Sequence, residues 1–523
     1  MNTFFADVVA FVGHLTRAQR LFVLVFLFLA VFLRFYPGQD NYIWTYDQAR
    51  DAYTIRSIIE EHNLMLVGPQ TEFFGLRHGV LFYYFLSPFY YLSQGDPNLP
   101  AAALIAWNFT ALIPITLLAY SLRKSKRDAL IALALTAVSY QLIEYSRWIS
   151  NLSFAVAPLA WFYYFFWHLL DKRKSAVAAG VSLGLAIQGE FFLVYLIPLS
   201  LAYLYVVKVK MGIIAKYLLG LLFGTATFLL AEMKFNFIGT KIFITEFLGN
   251  HGDKGLTASQ SLSKYFDHVG TSTQQLAGGL TPTMGLYFFF FLLVSVVLFY
   301  KNDWRRPWLH YLLLIVFSHS LLFSFRFVDA VFVNIPILFP VVLLASMAVS
   351  GWISRDRLIG WGLVAAMLVT LLWQLWFNSK NFMPFSWWIL EQQQGVSFEQ
   401  KMDIVSTAYK LVNSDEAFSL SVLGLPYGVS TVWASLFEQY QVRTGAPLPL
   451  LTGFWANGYE GTTVLARTDH RTKRHITIIE SNYDVLIDEH TIAAFFENED
   501  KTTRLLEERE IAGFRVQLRE LLD

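Results

Sequence analysis

The sequence predicts a polytopic α-helical membrane protein with about eleven transmembrane helices. A long first external loop carries interfacial helices, and a small C-terminal α/β extracytoplasmic domain completes the chain. Three observations predict this class. Of 523 residues, 55% are hydrophobic and 15% charged, and phenylalanine occurs 48 times. Mean hydropathy is +0.45, above the range of soluble enzymes. Apolar runs of near-membrane length recur until about residue 377, with basic clusters between them.

The runs lie at about 21–36, 99–122, 129–146, 154–170, 176–190, 191–207, 217–232, 284–300, 308–325, 328–350 and 359–377. No small-residue cleavage site follows a short apolar core at the N-terminus, so the first run is expected to be a retained span. Basic residues orient the rest. Arg17 and Arg20 precede the first run, and Arg123, Lys124, Lys126 and Arg127 lie between later ones. Further clusters are Lys172–Lys174, Lys208 to Lys216, Lys301 to Arg306, and Arg355 with Arg357. The positive-inside rule places all of these in the cytoplasm. Both flanks of 175–207 are basic, so an even number of crossings lies between them, and a hairpin is expected with its tip near Gln188 and Glu190. The run at 79–92 is short and aromatic and contains Pro88, so it is expected to be interfacial or re-entrant. The N-terminus is then cytoplasmic and the C-terminus external.

Under this topology the ionisable outliers gather on one face: Asp47, Arg50, Asp51, Arg77, His78, Glu144, Arg147, Glu190, Glu232, Lys234 and Arg326. A charge at the bilayer centre costs about 2.5–3.5 kcal/mol on insertion scales, so such groups are expected to line a protein-walled cavity. For any one of them, an ordinary place at a span end explains the residue as well. From 383 to 523 the composition turns polar, and the membrane domain is taken as 1–382. FEQKMDIVSTAYKLV, TVWASLFEQYQV and DEHTIAAFFENED read as helices, and HITIIES and AGFRVQL as strands.

The stretch WTYDQARDAY, residues 44–53, draws attention within the first loop. Thr45 and Gln48 have capping-box spacing, so a helix can start there. On it Asp47, Arg50, Asp51 and Thr54 share a face, with Asp47 in the first turn, where the helix dipole favours a carboxylate. A capped surface helix with an ordinary ion pair has the same spacing. The net charge of +1 points to no nucleic-acid partner, and the absence of cysteine excludes disulfides and thiolate metal sites.

Four stretches carry a resemblance. YDQARDAY is followed by LVGP at 66–69 and GLRHGVLFYY at 75–84. EYSRWISNLSFAVAP spans 144–158, and GVSLGLAIQGEFF spans 180–192. AEMKFNFIGTK, at 231–241, is followed by FRFVDAVFVNIPILFP at 325–340. In this order they resemble prokaryotic membrane glycosyltransferases of the C type, in the branch of protein O-mannosyltransferases and lipid A aminoarabinose transferases. The resemblance covers roughly the first 350 residues and leaves the C-terminal domain unassigned. Relatives often have proline at the positions of Val80 and Leu152, histidine at Glu190, and an Arg–His pair near Lys234 and Phe235. These departures point to a different sugar or acceptor.

The resemblance implies a polyprenyl-phosphate-linked sugar donor, inversion at the anomeric carbon, and a prokaryotic cytoplasmic (inner) membrane. The acceptor is a lipid, a glycan or a protein. It also implies Asp47 as catalytic base. Arg147 and Arg326 are then expected to bind the donor phosphate, with Lys234 and His78 behind them. Asp51 orients Arg50 or binds sugar, and Glu144, Glu190 and Glu232 complete the donor-binding set. A divalent metal, Mg²⁺ or Mn²⁺, is left open, since Asp47, Asp51, Glu144, Glu190 and Glu232 offer oxygen ligands without a dense carboxylate motif. The rival readings are a transporter or flippase, a polysaccharide polymerase or ligase, and a receptor whose C-terminal domain does the work. Single cysteines at Glu60, Ser125, Gly189 and Asp303 are expected to react with an impermeant thiol reagent from outside, inside, outside and inside. External labelling at Ser125 would break the parity argument.

Overall fold

The structure is a computed structural model. It describes residues 2–35, 42–71, 75–248, 257–323, 331–381, 397–413, 418–481, 483–485 and 487–522. The chain forms two compact units. The first comprises Met1–Tyr36, Met65–Phe85 and Ala103–Phe377, and the second Pro37–Leu64, Leu86–Ala102 and Asn378–Asp523. The C-terminal segment therefore shares its unit with most of the first loop, which the sequence reading assigned to the membrane domain.

Helices dominate the first unit. Among the described residues six are long and apolar enough to cross a membrane: Arg17–Phe35, Asn98–Arg123, Asn151–Lys172, Pro282–Phe299, Asn334–Arg355 and Arg357–Trp376. Two bent pairs raise the number to eight. Lys126–Val138 meets Tyr140–Arg147 at 52°, and Met211–Gly224 meets Ala226–Lys234 at 64°. Three more of the apolar runs fold as shorter helices, Ala176–Gly189, Phe191–Val206 and Pro307–Ser318. Length and composition thus define six to eight spans where the sequence reading expects eleven. The 79–92 run folds as a twelve-residue helix, Leu81–Leu92, about 18 Å long at 1.5 Å per residue and too short to cross upright.

Asn151–Lys172 and Asn334–Arg355 are buried along most of their length, whereas Arg17–Phe35 and Arg357–Trp376 expose most of theirs. Small residues set the closest approach in this unit. Gly180 and Gly184 face Gly220 and Gly224, and a Cβ on Gly180 would overlap the Tyr217 carbonyl. The GVSLG and GLLFG stretches are thus a pair of glycine-spaced interfaces that let two backbones touch. Gly189 is as tight, lying against the Asn151 carbonyl and Ala155. A cysteine there would be inaccessible to label, so the exposed Lys234, external in the expected topology, is the better reporter.

In the second unit a five-stranded sheet runs Leu450–Leu451, Ser419–Leu423, Arg474–Ile479, Phe514–Leu521, Thr503–Ile511. The first three strands are parallel and the last two antiparallel additions. Ser419–Leu423 and Arg474–Ile479 are buried almost throughout, as strands covered on both faces are. The edge strand Thr503–Ile511 carries Arg504, Glu507, Glu508, Arg509 and Glu510, and such charges discourage pairing with other chains. Phe398–Val412, Thr431–Thr444 and Glu489–Thr502 are the helices of its C-terminal segment. The loop segment 42–44 is tied to them. Tyr42 stacks on Phe398 at 5.4 Å, the Trp44 indole donates to Ser435 Oγ at 3.1 Å, and the buried Lys401 ammonium donates to the Trp44 carbonyl at 2.8 Å.

The bend at Ser139 in the first unit needs a partner for its loose carbonyls. Arg34, 2% exposed, supplies it, donating to the carbonyls of Ala137 at 2.9 Å and Thr136 at 3.1 Å. Arg34→Met leaves these groups unpaired, at about 1–3 kcal/mol for each buried group. The expected outcome is a lower thermal midpoint in detergent, read by intrinsic fluorescence, with Arg34→Lys recovering part of the loss.

Candidate functional site

The predicted helix after Trp44 is present as Tyr46–Glu60. Its capping box forms: Gln48 Oε1 accepts from the Thr45 N–H at 3.0 Å and from its hydroxyl at 2.8 Å. Arg50 then divides its donors. Nη1 reaches Asp47 Oδ1 at 2.7 Å, while Nε and Nη2 reach Asp51 Oδ1 at 2.9 and 2.8 Å. The two carboxylates differ in setting, with the Asp51 side chain 4% exposed and that of Asp47 59% exposed. Asp51 anchors the guanidinium, and Asp47 is held at the surface with one oxygen engaged. The guanidinium also lies over the Tyr46 ring at 5.6 Å. Burial raises the Tyr46 hydroxyl pKa, and so does Glu460, whose carboxylate accepts from it at 3.4 Å. All these residues belong to the second unit.

His78, Glu144, Arg147, Glu190, Glu232 and Lys234 belong to the first unit, where helix breaks place most of them. Ser139 caps Tyr140–Arg147, the short helix carrying Glu144 and Arg147, which lie 3.8 Å apart. Ser150 caps Asn151–Lys172, and the Asn151 amide donates to the Gly189 carbonyl at 2.8 Å. Glu190, 2% exposed, caps the following 3₁₀ turn by accepting from the Phe192 N–H at 3.0 Å. His78 Nδ1 accepts from the neighbouring Phe191 N–H at 3.4 Å, so a neutral His78 carries its proton on Nε2. His78, Glu190 and Asn151 are thus gathered by the ends of three elements. Gln188 lies beside them, donating to Gly224 at 3.2 Å and Thr227 at 2.5 Å while its Oε1 presses on Gly79.

A cavity of about 410 Å³ adjoins this region. Its walls are mainly apolar, including Val67, Leu76, Ile187, Phe191, Phe228 and Phe243, with Arg77, Thr225, Glu232 and Thr240 as the polar exceptions. Glu232 accepts from the Thr240 N–H at 2.9 Å, which fixes the turn between Ala226–Lys234 and Ile238–Leu248. Lys234 is exposed and its ammonium stands 5.5 Å from the Phe235 ring. Arg326 lies outside the described residues. Arg77, noted in the sequence only as an external charge, is the basic group of this cavity. Arg34 was missed altogether, because an arginine near the end of an apolar run reads as a span terminus. Among the described residues no group of three His, Asp or Glu side chains could hold a metal ion.

The fold and these features define a polytopic helical membrane protein with broken spans, polar groups at their breaks and a mainly apolar cavity. Two solved structures share its fold across nearly the whole chain. ArnT from Cupriavidus metallidurans in the apo state superposes with a TM-score of 0.57 at 11% identity, covering 96% of this chain and 98% of that one. The same protein bound to undecaprenyl phosphate gives 0.53 at 12% identity, covering 95% and 97%. At these identities the likeness is one of fold. No family model matches the sequence, and no curated protein does.

A Cβ on Gly79 would overlap the Gln188 carboxamide. Gly79→Ala is expected to push Gln188 off Gly224 and Thr227 and to cost about 1–3 kcal/mol. Thermal unfolding in detergent checks it; the Gln188 Cα would also lie 2.8 Å from that Cβ, so Gly79→Ala/Gln188→Ala is expected to recover only part of the loss.

Proposed function

We propose that this chain is an inverting glycosyltransferase of the membrane C type. It moves a sugar from a polyprenyl-phosphate-linked donor to an acceptor on the extracytoplasmic face. The observation that carries the reading is the cavity whose mainly apolar walls also carry Arg77 and Glu232. An isoprenoid phosphate has that pattern: a long hydrocarbon that gains by leaving water, and an anionic head that a guanidinium binds with two donors. The fold likeness to a transferase solved with undecaprenyl phosphate supports the same donor.

The chemistry asks for one base. The acceptor oxygen attacks the anomeric carbon as the carbon–oxygen bond to phosphate breaks. The bond's electron pair leaves with the phosphate, and Asp47 takes the acceptor proton. Phosphate leaves well without a general acid, unlike the leaving group in glycoside hydrolysis. Arg50, clamped by Asp51, fixes the Asp47 carboxylate. Arg77, Arg147, Arg326 and Lys234 supply positive charge for the phosphate, and His78 a further hydrogen-bond donor. Glu144, Glu190 and Glu232 orient the sugar. This scheme takes the chain as eleven spans with a cytoplasmic N-terminus, in a prokaryotic cytoplasmic membrane. Residues 1–382 form the membrane domain and 383–523 the external one. A flippase, favoured by the two bent helix pairs, would move the lipid without breaking its sugar–phosphate bond.

Purified protein incubated with polyprenyl-phosphate sugar labelled in the sugar, plus a membrane extract as acceptor, tests this. Asp47→Asn is expected to lower kcat by about 10²–10⁴-fold with donor binding retained. Arg77→Ala is expected to raise the donor KM about tenfold. Wild-type turnover in Asp47→Asn would remove Asp47 as the base.

A further inference from the structure

We propose that a second pocket, formed within the second unit, binds a neutral sugar residue. It holds about 330 Å³, inside the roughly 300–1,000 Å³ span of small-molecule sites. The Tyr46–Glu60 helix supplies one wall with Ala52, Tyr53, Arg56, Ile59 and Glu60. At 100° per residue these positions lie about half a turn from Asp47, Arg50 and Asp51, so one helix presents two faces with separate chemistry. Tyr90, Tyr91, Gln94 and Gly95 form the second wall, and Glu438, Gln439 and Val442 the third.

The wall chemistry selects the ligand. Tyr91 is 68% exposed, a large aromatic surface turned to solvent at the pocket. A pyranose presents a face of C–H groups that packs against such a ring. Around it stand hydrogen-bonding groups suited to hydroxyls: the Glu60 carboxylate and the carboxamides of Gln94 and Gln439. Their positions are built. Gln94 sits in left-handed backbone (φ 52°) before Gly95 (φ 87°), and the Gly95 carbonyl accepts from Gln439 Nε2 at 3.0 Å. Glu438 accepts from the Tyr53 hydroxyl at 3.1 Å and from Arg56 at 2.5 Å.

Charge excludes the donor phosphate from this pocket. The one cation, Arg56, is held between Glu438 and Glu60, the latter at 2.8 Å. One positive against two negative side chains repels phosphate and leaves no basic group for it. The pocket therefore suits an uncharged hexose or N-acetylhexosamine of a glycan. The inference goes beyond the donor chemistry above, and it is read by binding rather than by transfer. Failure of the transfer reaction leaves it standing.

Titration calorimetry of the full chain in detergent with mannotriose, maltotriose and chitotriose tests it. Binding of at least one at about millimolar Kd or tighter is expected. Tyr91→Ala and Gln94→Ala, both at exposed positions, are expected to weaken it by about tenfold. Binding that persists unchanged in both variants overturns the proposal, as does no heat from any of the three at about 10 mM. A Tyr91→Ala protein that keeps its sugar affinity but partitions less into phosphatidylglycerol vesicles would make Tyr91 an interfacial anchor, and that also overturns it.

Discussion

Backbone polar groups inside an apolar environment must find partners within the protein, and this constraint shapes the first unit. Helices of uniform hydrogen bonding would need few polar side chains. Broken helices need many, because each break frees N–H and carbonyl groups that hydrocarbon cannot solvate. Arg34 satisfies the carbonyls at the Ser139 bend, Ser139 and Ser150 cap the helices that restart, and Glu190 caps the turn after Gly189. The breaks and the candidate residues coincide for that reason. Arg147 ends a short helix, Glu190 stands between two, and His78 accepts from the restart at Phe191; irregular backbone is tolerated where it lines a cavity or packs on protein.

The Tyr46–Glu60 helix solves a different problem. An exposed ion pair such as Asp47–Arg50 contributes only tenths of a kcal/mol, about 0.2–0.5 for helix neighbours. Stability alone therefore gives little reason to hold Asp47 so closely. Positioning does: a guanidinium fixed from below by the buried Asp51 removes most rotational freedom from the carboxylate above it. In the proposed reaction an approaching acceptor meets an oriented base, and less entropy remains to be lost in the transition state. The opposite face of the same helix, with Tyr53 and Arg56 bound to Glu438, ties it to the Thr431–Thr444 helix of the same unit.

Much of this was legible in the sequence, and the limits have physical causes. Periodicity located the apolar helices and the C-terminal helices Phe398–Val412 and Thr431–Thr444, because amphipathic patterns are local. The Thr45–Gln48 box was legible for the same reason. Thr503–Ile511 was missed because an exposed edge strand rich in charge has no apolar alternation. The companionship of residues 42–60 with the C-terminal unit was invisible, since it rests on Tyr42 stacking on Phe398 and on Lys401 reaching the Trp44 carbonyl across some 350 residues. Arg34 was hidden by its place at the end of an apolar run. Arg77 was seen only as a charge, because the cavity it enters is built from helices far apart in sequence.

The central claim is that the apolar cavity carrying Arg77 and Glu232 receives the donor's isoprenoid phosphate. The most direct measurement is photocrosslinking with a polyprenyl phosphate bearing a diazirine in its first isoprene units, followed by peptide mapping. Adducts on the segments holding Phe191, Phe228 and Phe243, competed by unmodified polyprenyl phosphate and reduced in Arg77→Ala, are the predicted result. Adducts confined to the lipid-exposed Arg17–Phe35 and Arg357–Trp376 helices, unaffected by competitor, would contradict the account.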